Sequence, residues 1–565
     1  MPLQPPVNPA VLGYTIREYA AYSVNGFVPE LILVVGFLLA ILLDAVTRKA
    51  KSKLFSIWFA IAVLALAGFF SALEWHGFDA LHPGQWVPGS LIFPYSQTLF
   101  LPVVHQSVIE SGYSMAVVDN FSVFLKLLVS LGGILVLLMS LSSKEVRSRS
   151  SRLGEYASLI LGMSVGLYLM PASTDLVMMY ISLELVSIAG YILAGFSRET
   201  ERGSEAALKY ILFGAFSSGL MIYGFSLFYG LTGTTNIIAI RQILALSGTA
   251  HTGVNIYILW TATILALAGM AYKISAVPFH FWTPDVYEGA PLPVTTLLSV
   301  ASKAAGFGLL IRFVFFIFPQ GRQTGAPLID WQMILAVGAV LTMTFGNLAA
   351  LLQTNVRRML AYSTIAHAGY MLAALAIARA SGIVAVMIYL AAYLFMQVGA
   401  FYAVMLIANK IGSEEIDDYR GLGARSPLVS SALVVFLISL TGIPLTAGFI
   451  GKFYVLSAIL SSSGATHTVQ WLWLAIAVIL NSLISLYYYL RVAAALFLRR
   501  PLRELALERI GKSTPSTERI AYSIPAMSLL MFLVIPVVVL GIYFQPLVDF
   551  ASSVIRFFNF QNIPY

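Results

Sequence analysis

Long apolar runs, separated by short polar segments, constrain this chain more than any other feature. A helix crosses the ~30 Å hydrocarbon core of a bilayer in about 20 residues, and about 14 runs of suitable length can be delimited. Their approximate limits are Gly26–Leu43, Leu54–Leu73, Asn120–Leu141, Tyr156–Met170, Asp175–Phe196, Ser204–Tyr229, Ile256–Trp282, Pro291–Phe318, Trp331–Leu352, Met359–Ala378, Gly382–Ala408, Leu428–Ile459, Val469–Phe497 and Ile524–Phe544. The pattern predicts an all-α polytopic membrane protein.

The composition supports lipid as the main solvent. Only 10% of the 565 residues are charged and 59% are hydrophobic, whereas a soluble protein carries about 25% charged residues. This hydropathy excludes a soluble or DNA-binding protein. The absence of cysteine excludes disulfides, Cys-ligated iron–sulfur clusters and thiol catalysis. Residues 1–26 are Pro-rich and polar, so we expect no cleavable signal peptide.

The loop charges predict an orientation. One set of alternate loops holds about 21 Lys and Arg residues, and the other set, with the termini, holds about five. Because basic loops stay in the cytoplasm, both termini should lie outside, which requires an even number of spans. These loops explain the net charge of +8 without a nucleic-acid partner. The loop Glu74–Asp119 has no Lys or Arg and is expected to form a small outer cap.

Seven basic residues fall inside the predicted spans. A charge at bilayer depth costs on the order of 3 kcal/mol and usually marks an ion pathway. Lys273, Lys303 and Lys452 are the strongest candidates. Lys209 lies near the cytoplasmic end of its span, where snorkelling to the surface is an alternative.

The sequence gives less information on the roles of the other charged residues in the predicted spans. Lys126 and Arg312 have no partner nearby in the sequence, so an ion pathway and a structural pair both stay open. Arg491 lies toward a helix end, which favours a structural or headgroup contact. Glu184 is the one carboxylate near the middle of a predicted span. It needs a cationic partner from another helix or must be protonated.

Two predicted spans are too long for a straight crossing. Ile256–Trp282 contains 27 residues and Leu428–Ile459 contains 32; at about 1.5 Å per residue the longer one would reach ~48 Å. Each has helix breakers beside a lysine: Pro278 follows Lys273, and Gly442, Pro444, Gly448 and Gly451 precede Lys452. Broken helices near the midplane are typical of transporters.

The broken helices are the seventh and the twelfth. An offset of five spans is odd, so a five-helix repeat would be inverted in the membrane. We therefore expect two inverted five-helix repeats, each with a broken helix. The predicted divisions are 1–119 (spans 1–2 and an outer loop), 120–155 (span 3 and a cytoplasmic loop), 156–318 (first repeat), 331–497 (second repeat) and 498–565 (cytoplasmic loop, last span and outer tail).

Three long motifs carry a family resemblance. Ala271–Pro291 (AYKISAVPFHFWTPDVYEGAP), Asn355–Tyr370 (NVRRMLAYSTIAHAGY) and Gly442–Phe453 (GIPLTAGFIGKF) resemble the signatures of the antiporter-like, proton-pumping membrane subunits of respiratory complex I. The resemblance covers roughly Asn120–Phe497. Ser482–Arg491 (SLISLYYYLR) is typical of the N-type members. The L-type members carry a lateral helix and further spans, so we expect this chain to be of the N type.

The resemblance implies a role for each charged position. The proton-translocating residues would be Glu184, Lys209, Lys273, Lys303, His367 and Lys452. A carboxylate favours the charged form of a desolvated lysine. If Glu184 pairs with Lys273 or Lys209 and the pair then separates, the proton would move on toward Lys452. The eleventh span offers no ionisable charge for such a relay, only Tyr389, Tyr393 and Gln397.

The resemblance also implies partners. We expect no cofactor or metal in this chain, with FMN, iron–sulfur clusters and quinone in partner subunits. The partners would be other complex I membrane subunits in a bacterial inner membrane. A subunit of a multisubunit Na⁺/H⁺ antiporter shares these motifs, and a scaffold with an inactive channel is a third possibility. A haem protein is disfavoured because His280 and His367 have no partner on the same helix.

Overall fold

The chain is described by a computed structural model covering residues 27–47, 53–79, 115–249, 254–318, 329–461, 471–500 and 519–557. Within these ranges 13 helices are long and apolar enough to cross a membrane. The twelfth span adds two shorter apolar helices, so the predicted number of spans and the all-α class are confirmed.

The helices are numbered here by the span to which they belong. They are α1 (Val28–Val46), α2 (Leu54–Asp79), α3 (Asn120–Ser142), α4 (Leu153–Ala172), α5 (Leu176–Ala194), α6 (Glu201–Thr232), α7a (Ile256–Ile274), α7b (Trp282–Gly289), α8a (Leu292–Ser299), α8b (Ala301–Ile317), α9 (Trp331–Leu351), α10 (Val356–Ala376), α11 (Ala380–Ile411), α12a (Pro427–Thr441), α12b (Ala447–Ser461), α13 (Leu472–Phe497) and α14 (Ile524–Ile542).

The seventh helix breaks where Pro278 predicts it. Helix α7a ends at Ile274, and Ser275 adopts φ +63°. Pro disfavours helical backbone in the residue before it and cannot donate a hydrogen bond. The groups released by the break find partners, since Val277 N–H donates to Thr342 Oγ1 at 3.0 Å and Trp282 Nε1 donates to Tyr272 O at 3.1 Å.

The twelfth helix breaks at Gly442 and Pro444, as predicted. Helix α12a ends at Thr441, and Gly442 takes φ +88°, which favours glycine. The chain resumes as α12b, where Gly448 N–H donates to Ser439 Oγ at 3.1 Å. A Cβ on Gly448 would lie 1.8 Å from Ser439 O, so this close approach requires glycine.

A third helix, that of span eight, is also interrupted, and the sequence did not predict this break. Span eight divides at Val300, with φ −112° and ψ −71°, between α8a and α8b. Neither glycine nor proline marks the position in the sequence. Lys303 lies in the first turn after it.

Several predicted spans were shorter than the helices in the structure. Helices α6 and α11 each run 32 residues without a break, beyond the predicted Ser204–Tyr229 and Gly382–Ala408. Length alone therefore does not force a break. Helix α2 extends to Asp79, so Glu74 belongs to a helix; residues 80–114 of the predicted outer cap lie outside the described ranges.

The helices that carry the polar residues form the interior of the bundle. The apolar windows of span eight, α10 and α11 are 94%, 94% and 89% buried, whereas those of α1 and α14 are 28% buried. Lipid or another protein must cover the outer helices. Lys273, Lys303 and Lys452 are consequently held between helices and not at the lipid surface.

Candidate functional site

Three buried lysines lie beside the three helix interruptions. Lys273, Lys303 and Lys452 are 2%, 0% and 6% exposed. Lys273 occupies the last turn of α7a, Lys303 the first turn of α8b, and Lys452 the second turn of α12b. Backbone carbonyls freed at such interruptions can accept hydrogen bonds from an ammonium group at this depth.

The first lysine contacts the helix that carries the predicted acid. Lys273 Nζ lies 3.3 Å from Ser187 Oγ, one turn along α5 from Glu184. The charge of Glu184 acts on Lys273 electrostatically, although Glu184 Oε1 is enclosed and has no hydrogen-bond partner within the described ranges. In this structure the acid and the lysine are neighbours that do not share a hydrogen bond.

Lys303 links the first lysine to the second half of the bundle. On α8b, Gly306 packs against the aliphatic stem of Lys273, where a Cβ would lie 3.4 Å from Lys273 Cγ. Lys303, one turn earlier, donates from Nζ to Thr364 O of α10 at 2.5 Å. Helix α8b therefore contacts Lys273 on one side and α10 on the other.

His367 continues the row one turn along α10 from Thr364. Its Nδ1 lies 2.7 Å from Tyr389 Oη of α11, and its Nε2 lies 3.3 Å from Tyr489 Oη of α13. Both Lys303 and Lys452 act on it electrostatically. A neutral imidazole has one donor and one acceptor nitrogen, so His367 can take up a proton on one side and release it on the other.

Lys452 ends the row inside the break of the twelfth helix. Its Nζ donates to Thr441 O, the last carbonyl of α12a, at 2.7 Å and lies 4.7 Å from the ring centre of Tyr370. The negative end of a helix dipole and an aromatic face both favour a cation. A Cβ on Gly451 would lie 2.9 Å from Tyr389 Cδ2, so glycine here lets the tyrosine pack beside Lys452.

Lys209 lies apart from the other predicted residues. Its Nζ is 2.6 Å from Asp285 of α7b and 2.6 Å from Glu205, and its side chain is 35% exposed. A cavity of about 210 Å³ opens beside it, lined by Arg202, Glu205, Asp285, Glu288, Gly289 and Arg358. The motif residue Asp285 thus holds Lys209 in a partly exposed charge network.

Sequence reasoning missed a polar network behind His367. Asn347 of α9 donates to Tyr370 Oη at 3.0 Å and to Asn481 Oδ1 of α13 at 3.2 Å, and it accepts from Tyr488 Oη at 2.9 Å. The Tyr pair in Ser482–Arg491 was the available signal, since Tyr488 and Tyr489 both face this network.

Lys126 and Arg312, for which the sequence allowed either an ion pathway or a structural pair, both form ion pairs. Lys126 Nζ lies 2.7 Å from Glu30 Oε1 and 3.5 Å from Glu74 Oε2. Arg312 donates from Nη2 to both oxygens of Asp119 at 2.5 Å. Glu184 is therefore not alone among buried carboxylates.

Arg491 makes the structural contacts that its position toward a helix end led us to expect. Arg491 donates from Nη1 to Leu351 O, 3.0 Å away, and from Nη2 to Gln353 O, which satisfies carbonyls at the end of α9.

His280 lies in the break of the seventh helix, packed between Phe281 and Phe345. Its ring nitrogens have no hydrogen-bond partner within the described part of the chain.

These features define the class of the protein: a membrane bundle of antiporter-like fold. A family model described as "NADH:quinone oxidoreductase/Mrp antiporter, TM" matches residues 173–485. The NADH-quinone oxidoreductase subunit N of Chlorobium chlorochromatii is 43% identical over 95% of this chain and 96% of its own length. A subunit N from Chloroherpeton thalassium is 41% identical over 94% of each chain. The chain belongs to the NADH-quinone oxidoreductase subunit N family.

Solved structures show the same fold. A chain of respiratory complex I from Thermus thermophilus with bound aureothin is 27% identical, with a TM-score of 0.67 over 93% of this chain and 99% of that one. A chain of the Mrp complex from Dietzia sp. is 20% identical, with a TM-score of 0.74 over 95% and 98%. At that identity the likeness to the Mrp chain concerns the fold alone.

Proposed function

We propose that this chain is a proton-translocating membrane-arm subunit of a complex I-type NADH–quinone oxidoreductase, in which quinone reduction elsewhere in the complex drives protons along a buried Glu/Lys/His row. The single observation that carries the proposal is the row itself. Lys273 bonds to α5 and packs against α8b, and Lys303 on α8b bonds to α10. His367 on α10 bonds to α11, and Lys452 bonds to the last carbonyl of α12a.

Proton transfer along the row would proceed through groups that both accept and donate. Proximity of the Glu184 carboxylate favours the charged form of Lys273, and loss of that proximity favours release of a proton. The proton would pass to Lys303 and then to His367. Tyr389 offers a hydroxyl that accepts from one neighbour as it donates to the next. Water would complete the steps that side chains alone do not span.

The last transfer would reach Lys452 and then the outer side. The predicted orientation, with basic loops in the cytoplasm, places Lys209 and Asp285 at the cytoplasmic end. Residues 1–26 and 558–565 lie outside the described ranges, so the outer location of both termini is part of this proposal. Partner subunits would hold the redox centres, and the chain would contribute proton transfer only.

The proposal is tested with Glu184→Gln and Lys273→Ala in the assembled complex, reconstituted in sealed vesicles. We expect fewer protons pumped per electron in both variants, with normal assembly. Lys410→Ala, which removes an exposed lysine at the end of α11, is the matched control and should pump normally. Unchanged pumping in both Glu184→Gln and Lys273→Ala would contradict the role assigned to the pair.

The alternative is a subunit of a multisubunit Na⁺/H⁺ antiporter. The higher identity to subunit N chains than to the Mrp chain favours complex I. Purification of the native assembly decides between them, because co-purifying iron–sulfur and quinone-site subunits would support complex I. Co-purifying small antiporter subunits without redox proteins would support the antiporter.

A further inference from the structure

The first three helices enclose a charge cluster that the proposed row does not use. Glu30 lies in the first turn of α1, Glu74 near the end of α2, and Lys126 in the second turn of α3. Lys126 Nζ is 2.7 Å from Glu30 Oε1 and 3.5 Å from Glu74 Oε2. These three residues form an N-terminal charge cluster.

The cluster lies in the interior of the bundle. The side chains of Lys126, Glu30 and Glu74 are 0%, 6% and 15% exposed. Tyr168 of α4 closes one side, with its ring centre 6.0 Å from Lys126 Nζ and its hydroxyl bonded to Ser130. The helix Gln545–Ser553 covers the neighbouring surface with an apolar contact, since Phe550 packs on Trp75.

The charges in this cluster do not balance. Two ionised carboxylates and one ammonium leave a net charge of −1, and an uncompensated buried charge is strongly unfavourable. Two carboxylates at one site cannot both stay ionised at low cost. Glu30 Oε2 and Glu74 Oε1 are enclosed and have no hydrogen-bond partner among the described residues, so each offers a place for a proton.

We propose that Glu30, Glu74 and Lys126 form a proton-binding site, separate from the central row, in which one proton is held by the two carboxyl groups. The ligand is a proton and not a metal ion, because Lys126 Nζ already fills the position between both carboxylates. Protonation makes the cluster neutral, and release of the proton leaves one negative charge.

The site lies on the side of the membrane where α1 and α3 begin. Six residues separate Lys126 from Gly132 on α3, about 9 Å along the helix axis. A Cβ on Gly132 would lie 3.7 Å from the Cβ of Ala301, two residues before Lys303. The cluster is thus displaced along the membrane normal from the level of Lys303. Glu74 is the most exposed of the three residues, with 15% of its side chain accessible.

Infrared difference spectroscopy of the assembled complex at two pH values tests the proposal. We expect one protonated-carboxyl C=O band in the parent protein and loss of that band in both Glu30→Gln and Glu74→Gln. Each variant leaves one carboxylate opposite Lys126, a balanced pair that should fold. Ser71→Ala changes a buried residue one turn before Glu74 and should keep the band.

The competing explanation is an ion pair with both carboxyl groups ionised. It predicts that neither glutamine variant loses a protonated-carboxyl band, and that result would overturn the proposal. Lys126→Met provides a second test, because without the cation the cluster should bind one more proton and the band should grow. The spectra report protonation and not pumping, so the result is independent of the outcome for Glu184 and Lys273.

Discussion

Tyr389 Oη lies 2.7 Å from His367 Nδ1, so α11, which carries no ionisable charge in its membrane-crossing part, joins the row through a phenol hydroxyl. The ring of the same tyrosine packs beside Gly451, next to Lys452. Tyr389 consequently lies between the histidine and the helix that carries the last lysine.

Tyr389→Phe tests this connection. The variant keeps the ring and removes the hydroxyl, so we expect proton translocation to slow by about tenfold or more, since positioned proton-transfer groups contribute about 10²–10⁴ in rate. Tyr393→Phe is the matched control, because the Tyr393 hydroxyl has no hydrogen-bond partner within the described ranges. Equal pumping by the two variants, measured in vesicles, would exclude a specific role for Tyr389.

Gly442→Ala tests the fit between the twelfth-helix break and Lys452. Gly442 has φ +88°, and a Cβ there would lie 2.8 Å from Lys452 Cδ. Gly412→Ala is the control, because Gly412 has φ +74° with open space around it. Backbone strain of about 1–2 kcal/mol applies to both variants. We expect Gly442→Ala to lower the thermal-unfolding midpoint further and to impair pumping. Equal midpoints would contradict the packing argument.

Arg312→Gln tests a structural pair. It leaves Asp119, whose side chain is 18% exposed, without its bidentate partner, and breaking a buried pair costs about 3–5 kcal/mol. We expect less assembled complex and a lower unfolding midpoint. The double variant Arg312→Gln/Asp119→Asn should recover part of the loss. Pumping per assembled complex should be normal, and a selective loss of pumping would instead place Arg312 in a proton pathway.

Glu199 gives a prediction for acid stability. A hydrogen bond from its own backbone N–H, with Arg152 and Arg149, lowers the pKa of Glu199 to about 2. A lowered pKa stabilises the fold above the unfolded value of about 4.3, and this contribution is lost as the pH falls toward 2. Glu199→Gln should lower the unfolding midpoint at neutral pH and flatten its decline in acid. Glu201→Gln is the control; an unchanged acid profile in Glu199→Gln would contradict the prediction.

The sequence was sufficient for features that depend on local backbone chemistry. Pro278 and Gly442 mark the two main breaks, because proline lacks the N–H that continues a helix and glycine readily adopts the left-handed backbone that ends one. The number of spans followed from apolar length. The interruption at Val300 could not be predicted, because it contains no breaking residue and depends on packing between spans.

Charged residues within apolar runs can also be located from the sequence alone. This criterion identified Lys273, Lys303 and Lys452 before any contact was known. The ion-pair partners of charged residues in the spans could not be predicted from the sequence. Lys126 and Glu74 are separated by 52 positions, and Arg312 and Asp119 by 193, so helix rotation and packing alone decide whether they meet. The sequence by itself determined which charged groups lie within membrane-crossing helices, because the helices follow from hydropathy. Only the tertiary structure decided which of them form ion pairs or hydrogen bonds, because such contacts form over about 3 Å between different helices.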